Sequence, residues 1–161
     1  MEKYVEEYLK KNGIEYRLYG HPAVFTCEEA EIHCKDVPGM ACKNLFLREK
    51  DTGKFFLVIM PASERLAMKK LEKILGIKKL AFAKEEELFY ILKLTPGAVS
   101  PLGLVNDMNK MTQTVVDSKV WNADELSFHP NLNTESIALS NTAFRKLITS
   151  FSAHPRIADL D

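Results

Sequence analysis

The chain has 161 residues, and its 22 basic and 22 acidic side chains leave no formal net charge. This length suits one domain with a hydrophobic core, and 46% hydrophobic with 27% charged residues is typical of a soluble globular protein. The neutral balance argues against a general nucleic-acid coat protein. Because the charged N-terminus lacks a secretory signal and no apolar run nears the roughly 20 residues of a membrane span, we expect one cytoplasmic domain over 1–161, away from membranes.

The cysteines and histidines show no metal-ligand spacing. Cys27, Cys34 and Cys42 form no C-x-x-C pair, and the four histidines contain no H-E-x-x-H motif. Reduced cysteines in a cytoplasmic protein are the simpler interpretation. We therefore expect no structural metal.

Hydrophobic periodicity and capping signals predict the elements of the first half. In chain order these are a helix over 2–12 ended by Gly13, a strand over 14–19, a helix from the Thr26–Glu29 capping box to about Cys34, a hairpin of 45–47 and 55–59 around 51–53, and a helix over 64–75 capped by Ser63 and ended by Gly76.

The second half continues as a mixture of strands and helices without a βαβ rhythm. It predicts a short strand over 80–83, a helix over 84–92, strands over 112–116, 126–129 and 136–140, a helix over 142–150 capped by Asn141, and a loose tail over 152–161. This order predicts an α+β fold with a mixed, largely antiparallel sheet.

A stiff loop runs from Gly97 to Gly103. It combines Pro96-Gly97, Ser100-Pro101 and a closing glycine, and such residues fix the chain while letting backbone N–H groups approach a ligand oxygen. An ordinary tight turn is the alternative interpretation.

Two further motifs accompany this loop. Lys43-Asn44 is predicted just before a strand, where an ammonium suits a phosphate or carboxylate and an amide suits a sugar hydroxyl or an amino group. His129 is predicted at a strand end, as a pocket wall, a general base or a structural group. Taken alone, each of these residues is more simply read as structural or solvated.

Basic residues are concentrated between Lys43 and Lys79, which contain ten basic and four acidic side chains. On the helix predicted over 64–75, the apolar residues share one face and the basic ones lie mostly elsewhere. That surface could hold a phosphate backbone, although an ordinary solvated face is the alternative. The residues concerned are Arg65, Lys69, Lys70 and Lys73.

Together, Lys43-Asn44, Gly97-x-x-x-Pro101 and His129-Pro130-x-x-Asn133-Thr134 resemble the YbaK/prolyl-tRNA synthetase editing-domain superfamily, in particular its freestanding members that deacylate Ala-tRNA(Pro). The resemblance spans essentially the whole chain. It implies a curved, barrel-like sheet surrounded by helices, trans-editing of proline tRNA mischarged with alanine, and neither metal nor organic cofactor. Pro96-Gly97-Ala98 stands where the Cys-tRNA(Pro) branch usually has Gly-Gly, which favours the alanine branch.

The resemblance also assigns roles to residues. Lys43 would engage the 3′-terminal phosphate region, and Asn44 and His129 would orient the aminoacyl ester. Gly97 to Pro101, which include Ala98 and Ser100, match the loop around the ester, and Asn133 and Thr134 act as supports.

The sequence also bears on how the ester would be hydrolysed. No general base is evident, and Ser100 lies outside a G-x-S-x-G elbow. We therefore expect the substrate's ribose hydroxyl to orient the water while backbone N–H groups around 97–100 stabilise the oxyanion.

Two alternative functions stay open. The substrate could be Cys-tRNA(Pro) or another small aminoacyl-tRNA, and the protein could instead be a non-catalytic sensor of aminoacyl-tRNA or proline. We expect no DNA partner, and we expect a transient contact with prolyl-tRNA synthetase.

Overall fold

The computed structural model describes residues 1–152 and 154–161 and contains a mixed sheet of eight strands. The strands are β1 (Arg17–Gly20), β2 (Met40–Glu49), β3 (Phe55–Pro61), β4 (Leu80–Phe82), β5 (Thr112–Asp117), β6 (Glu125–Phe128), β7 (Glu135–Ser140) and β8 (Arg156–Ala158). The helices are α1 (Lys3–Lys11), α2 (Cys27–His33), α3 (Met68–Leu75), α4 (Glu85–Leu92), α5 (Ser118–Trp121) and α6 (Asn141–Phe151), and a 3-10 helix covers Pro101–Asn106.

The strands follow the order β1-β7-β6-β2-β3-β5-β8, with β4 paired to β2. The pairs β1–β7, β6–β7, β2–β3 and β2–β4 are antiparallel. The pairs β2–β6, β3–β5 and β5–β8 are parallel. The predicted α+β fold with a mixed sheet is confirmed, and within the described residues the sheet is open between β1 and β8 rather than closed into a barrel.

Two hydrophobic clusters cover the two faces of the sheet. The larger, which we call the first cluster, joins α1, α4 and α6 to the sheet through residues such as Leu9, Leu92 and Phe144. The second cluster packs α3 against the other face through Leu71 and Met60. None of the helices in the described residues is both long and apolar enough to span a bilayer.

Several local signals act as the sequence predicts. The Thr26 hydroxyl accepts the Glu29 N–H at 3.1 Å and so caps α2. Gly76 ends α3 with φ +66°, a left-handed conformation that glycine adopts without steric cost. The predicted hairpin is the antiparallel β2–β3 pair, with Leu47 opposite Phe56.

The predicted starts of two helices are wrong. Helix α3 begins at Met68 rather than residue 64, because the Glu64 N–H closes a turn onto Pro61 O and the Glu64 carboxylate binds Lys119. Ser63 therefore caps no helix. The hydroxyl of Ser140, one residue before the predicted cap, accepts the Ala143 N–H and caps α6.

The predicted loose tail is also wrong for the residues that the structure describes. Strand β8 extends the sheet beside β5, with Ile157 opposite Val116. Leu160 is buried in the second cluster, and the Asp161 carboxylate pairs with Lys119. Part of the predicted tail, residue 153, lies outside the described residues.

We predict that Leu160→Ala lowers the free energy of unfolding by about 2–3 kcal/mol, because it removes a fully packed side chain and leaves a cavity. Urea unfolding followed by circular dichroism measures this loss. Ile157→Ala in the adjacent strand is the matched control, since that side chain is 36% exposed and its truncation should cost clearly less. Equal losses from both variants would show that the segment is not anchored through Leu160.

Candidate functional site

Lys43 and His129 lie on neighbouring parallel strands. Strands β2 and β6 pair Met40 with Leu126 and Ala41 with Ser127, and the same register continued by two residues sets Lys43 level with His129. Strand β6 ends at Phe128 whereas β2 continues to Glu49. The two strands therefore no longer pair at this level. Lys43-Asn44 lies inside β2 rather than before a strand, and this corrects the predicted position.

Lys43 and Asn44 point to opposite faces of β2. Successive side chains of a strand alternate in direction, and Leu45 packs in the second cluster while Phe46 packs in the first. Lys43 therefore shares the α3 face of the sheet, and Asn44 shares the face of the 95–106 segment. The buried Oδ1 atom of Asn44 has no hydrogen-bond partner among the described residues. A buried unpaired amide oxygen is costly unless a ligand or water satisfies it.

His129 is half-buried and its ring orientation is fixed. Its Nδ1 lies 2.8 Å from the Glu135 carbonyl oxygen, which can only accept, so Nδ1 carries the proton. Burial lowers the pKa of His129, and the nearby His21 lowers this pKa further against the opposing effect of the Glu135 hydrogen bond. At neutral pH the ring is therefore neutral, and its Nε2 lone pair can accept a hydrogen bond from a ligand.

Asn133 and Thr134 hold the segment that follows β1. The Asn133 side chain donates to Val24 O at 3.1 Å, and the Val24 N–H donates to Asn133 O. The His21 N–H donates to Thr134 O at 2.9 Å. Both residues thus hold the chain that carries His21 and Val24.

The Gly97 loop lies against this same segment. Gly97 has φ +88°, and a Cβ built on it would lie 3.6 Å from the Phe25 ring. The Ala98 N–H closes a turn onto Thr95 O, so it is unavailable to a ligand, whereas the N–H groups of Gly97 and Val99 have no acceptor in the described part of the chain. The Ser100 N–H also has no acceptor there, but Ser100 is fully buried, so Gly97 and Val99 are the residues whose free N–H groups the loop can offer to a ligand.

Ser100 and Pro101 shape the loop from inside. Ser100 is fully buried and its hydroxyl accepts the Leu102 N–H at 3.1 Å, which caps the 3-10 helix. Pro101 occupies the first position of that helix and is buried as well. The predicted substrate-binding role is therefore corrected for these two side chains, because they present no accessible polar atom. Ala98 is 8% exposed and can form only an apolar wall.

The predicted basic surface lies mainly on α3. Lys69 and Lys73 are exposed on the helix and Lys70 is half-buried, whereas Arg65 is exposed in the turn before it. Leu71 holds this helix on the sheet face that Lys43 shares. Lys43 and the lysines of α3 therefore lie on the same side of the sheet, where Lys69 also pairs with Glu72.

The cysteine nearest to Lys43 is not a nucleophile. Burial raises the pKa of Cys42 to about 12, so its thiol stays protonated at neutral pH. Nor does any group of three His, Cys, Asp or Glu side chains within 1–152 and 154–161 have a metal-binding arrangement.

Comparison with known proteins identifies the family. The model of the aminoacyl-tRNA editing domain matches residues 21–147, a range that contains Lys43, the Gly97 loop and His129. The chain belongs to the aminoacyl-tRNA editing domain family. The resemblance deduced from the motifs is thereby confirmed.

Relatives and solved structures agree with this membership. The chain is 36% identical to prolyl-tRNA editing protein ProX of Acetoanaerobium sticklandii, over 84% of this chain and 82% of that protein. It is 30% identical to prolyl-tRNA synthetase associated domain-containing protein 1 of Danio rerio, over 100% of this chain and 88% of the relative. A crystal structure described as a candidate trans-editing enzyme for prolyl tRNA synthetase has the same fold, with a TM-score of 0.77 and 18% identity over 100% and 98% of the two chains.

Sequence reasoning missed three residues of this editing-domain site. His21 packs against the His129 ring, Phe25 contacts the Gly97 loop, and Gly39 allows β2 to approach β6. The Thr26–Glu29 capping box predicts that Phe25 directly precedes helix α2. The neighbouring sequence does not show which residues His21 and Phe25 contact.

Proposed function

We propose that this protein is an aminoacyl-tRNA deacylase that hydrolyses the ester of alanine on mischarged tRNA(Pro). Family membership and the similarity to a prolyl-tRNA editing protein support the reaction class. The geometry that supports the proposal is the register of β2 and β6, whose last pair, Ala41–Ser127, stands two residues before Lys43 on one strand and His129 on the other. An ammonium suits the phosphates at the end of the tRNA, and a neutral imidazole can accept a hydrogen bond from the aminoacyl-adenosine.

Each group has a chemical task in this proposal. The Lys43 ammonium binds the 3′-terminal phosphate region, and Asn44 Oδ1 and His129 Nε2 accept hydrogen bonds from the amino and hydroxyl groups of the aminoacyl-adenosine. Water adds to the ester carbonyl, and the N–H groups of Gly97 and Val99 stabilise the oxyanion, each by roughly 2.7–4 kcal/mol. The C–O bond to the ribose then breaks, the ribose oxygen takes up a proton, and alanine leaves.

Substrate size is the basis of selectivity. A synthetase pocket for proline discriminates against smaller amino acids by only about 1–3 kcal/mol per methylene, so a second site must admit alanine and exclude a five-membered ring. The turn from Thr95 to Ala98 makes a stiff wall for such a site, and the buried Pro101 holds the loop from inside. The cytoplasm, where charged tRNA is used, is the proposed place of action, with transient contact to prolyl-tRNA synthetase.

Deacylation of Ala-, Cys-, Ser- and Pro-tRNA(Pro), measured side by side with the purified protein, tests the proposal. We expect fast hydrolysis of the alanyl ester, about tenfold or more slower hydrolysis of the bulkier cysteinyl ester, and intact Pro-tRNA(Pro). Preferred hydrolysis of Cys-tRNA(Pro) would move the protein to the cysteine branch. No hydrolysis of any of the four would contradict an enzymatic role and favour a sensor.

The α3 surface gives a prediction about tRNA binding. Lys69→Glu/Lys73→Glu should weaken binding of tRNA(Pro) and reduce the slope of log K against log salt by about 2, because two phosphate contacts are lost. Binding at several salt concentrations by fluorescence anisotropy measures this slope. Lys10→Glu/Lys11→Glu at the exposed end of α1 is the charge-matched control. An unchanged slope in the α3 variant would remove this helix from the tRNA-binding surface.

A further inference from the structure

His21 lies beside His129, and both of its ring nitrogens are occupied. Nδ1 lies 2.8 Å from the carbonyl oxygen of Pro22, which can only accept, so Nδ1 carries a proton. Nε2 lies 2.9 Å from the hydroxyl of Ser136, which donates to it when the ring is neutral. Ser136 is 4% exposed, so this hydrogen bond is shielded from competing water.

The backbone holds this ring in place as well. Strand β1 pairs Tyr19 with Ser136, and the His21 N–H donates to Thr134 O directly after the strand ends. His21 therefore cannot turn away without breaking two side-chain hydrogen bonds and one backbone hydrogen bond. The hydrogen bond to Ser136 is partly buried, whereas the one to the Pro22 carbonyl lies at the surface.

The fixed ring of His21 packs against His129. The two ring centroids lie 5.5 Å apart with the planes tilted by 53°. His129 is thus held from two sides, by Glu135 O at its Nδ1 and by the His21 ring at its edge. Nε2 is the ring atom that remains available to a ligand.

We propose that His21, locked by Ser136, is a positioning residue that aims the Nε2 atom of His129 at the aminoacyl ester and keeps that ring neutral. This inference rests on the proposed deacylase function and assigns a residue to it that none of the sequence motifs contains. His21 touches no reacting atom in this arrangement. Its effect is transmitted through the orientation and protonation of His129.

The charged and titratable surroundings agree with this role. The groups around His129 are His21 itself, Cys34 at 3.9 Å from the Ser136 hydroxyl, Glu135, whose carboxylate pairs with the Met1 amino group, and Lys43 at the same level on β2. Proximity of the two imidazoles lowers the pKa of His129, in addition to the larger effect of burial.

His21→Gln is the informative substitution, because an amide can still bond to Ser136 but supplies no imidazole. Without the His21 ring beside it, the His129 ring can turn away from the Glu135 carbonyl. We therefore expect the NMR signals of this ring in the free protein to show a mixture of tautomers and a higher pKa than in the wild type. We expect kcat/KM for Ala-tRNA(Pro) to fall by about 10- to 100-fold, the range for a misaligned functional group. We expect kcat/KM to fall less at alkaline pH than at neutral pH, because deprotonation of His129 restores its Nε2 atom as a hydrogen-bond acceptor.

Ser136→Ala is the second variant and should change the His129 spectrum in the same direction, because it releases the Nε2 atom of His21. His33→Gln on exposed α2 is the control and should change neither the spectrum nor the rate. An unchanged tautomer and pKa of His129 in an active His21→Gln protein would overturn this inference alone. A changed spectrum with an unchanged kcat/KM and pH profile would overturn it too, whereas wild-type protein that leaves Ala-tRNA(Pro) intact would overturn the proposed function.

Discussion

Lys43→Ala is expected to lower kcat/KM for Ala-tRNA(Pro) by about 100-fold or more, the range seen when a charge-stabilising donor is removed from an ester-hydrolysing site. Lys43 is partly exposed and has no ion pair among the described residues. The fold should therefore tolerate its loss, and the melting temperature should stay within about 2 °C of the wild type. Single-turnover deacylation over a range of subsaturating enzyme concentrations measures kcat/KM.

Two matched variants separate charge from geometry at this position. Lys43→Arg keeps the positive charge but changes its shape, so it should retain an intermediate rate. Lys54→Ala removes an exposed lysine from the turn-proximal end of the same hairpin and should leave the rate unchanged. Turnover by Lys43→Ala at the wild-type rate would exclude the ammonium from the site.

Gly39→Ala should have the largest effect on the fold near the site. Gly39 has φ +89°, and a Cβ there would lie 2.8 Å from the backbone carbon of Glu125 and from the backbone nitrogen of Leu126. Because both contacts are with backbone of β6, no side chain can move aside. Strain and overlap together should cost about 2 kcal/mol or more, which for this chain length corresponds to a fall in melting temperature of about 4–8 °C.

The same substitution should also abolish deacylation. It forces β2 away from β6 next to the Met40–Leu126 pair, which sets the register of the strands that lead to Lys43 and His129. Gly20→Ala is the neutral control, since its Cβ would meet nothing within 4 Å. Gly76→Ala is a second control. Gly76 has φ +66° and a Cβ there would meet nothing within 4 Å, so this variant measures the backbone strain without steric overlap of the Cβ. If Gly39→Ala were no worse than Gly76→Ala in thermal unfolding, close approach of the two strands would not be what requires this glycine.

The fold was predictable where a local signal decides the structure. Thr26 with Glu29 caps α2, and Gly76 ends α3, because the relevant hydrogen bonds or backbone angles involve neighbouring residues. The start of α3 was not predictable, since the Glu64 carboxylate is held by Lys119, which is distant in sequence. Strand β8 was missed for a similar reason. Its three residues have little periodicity, and their pairing partner is β5.

The site was predictable as a set of motifs but not as a geometry. Lys43, Gly97 and His129 stand out only in combination, because the family resemblance rests on all three. That Lys43 lies level with His129 depends on a parallel pair between β2 and β6, and sequence periodicity carries no information about register between distant strands. The resemblance placed Ser100 in the loop around the ester, yet its hydroxyl caps a 3-10 helix inside the protein. His21 lacked any motif, and only the fold brings it to His129.

Binding of a non-hydrolysable alanyl-adenosine, with an amide in place of the ester, tests most directly whether one cleft holds the substrate. Backbone and side-chain NMR shifts should change together at Lys43, Gly97 and His129, and a prolyl-adenosine amide at equal concentration should change none of them. Shifts confined to one of these three residues, or equal shifts with the prolyl compound, would contradict a shared and size-selective site.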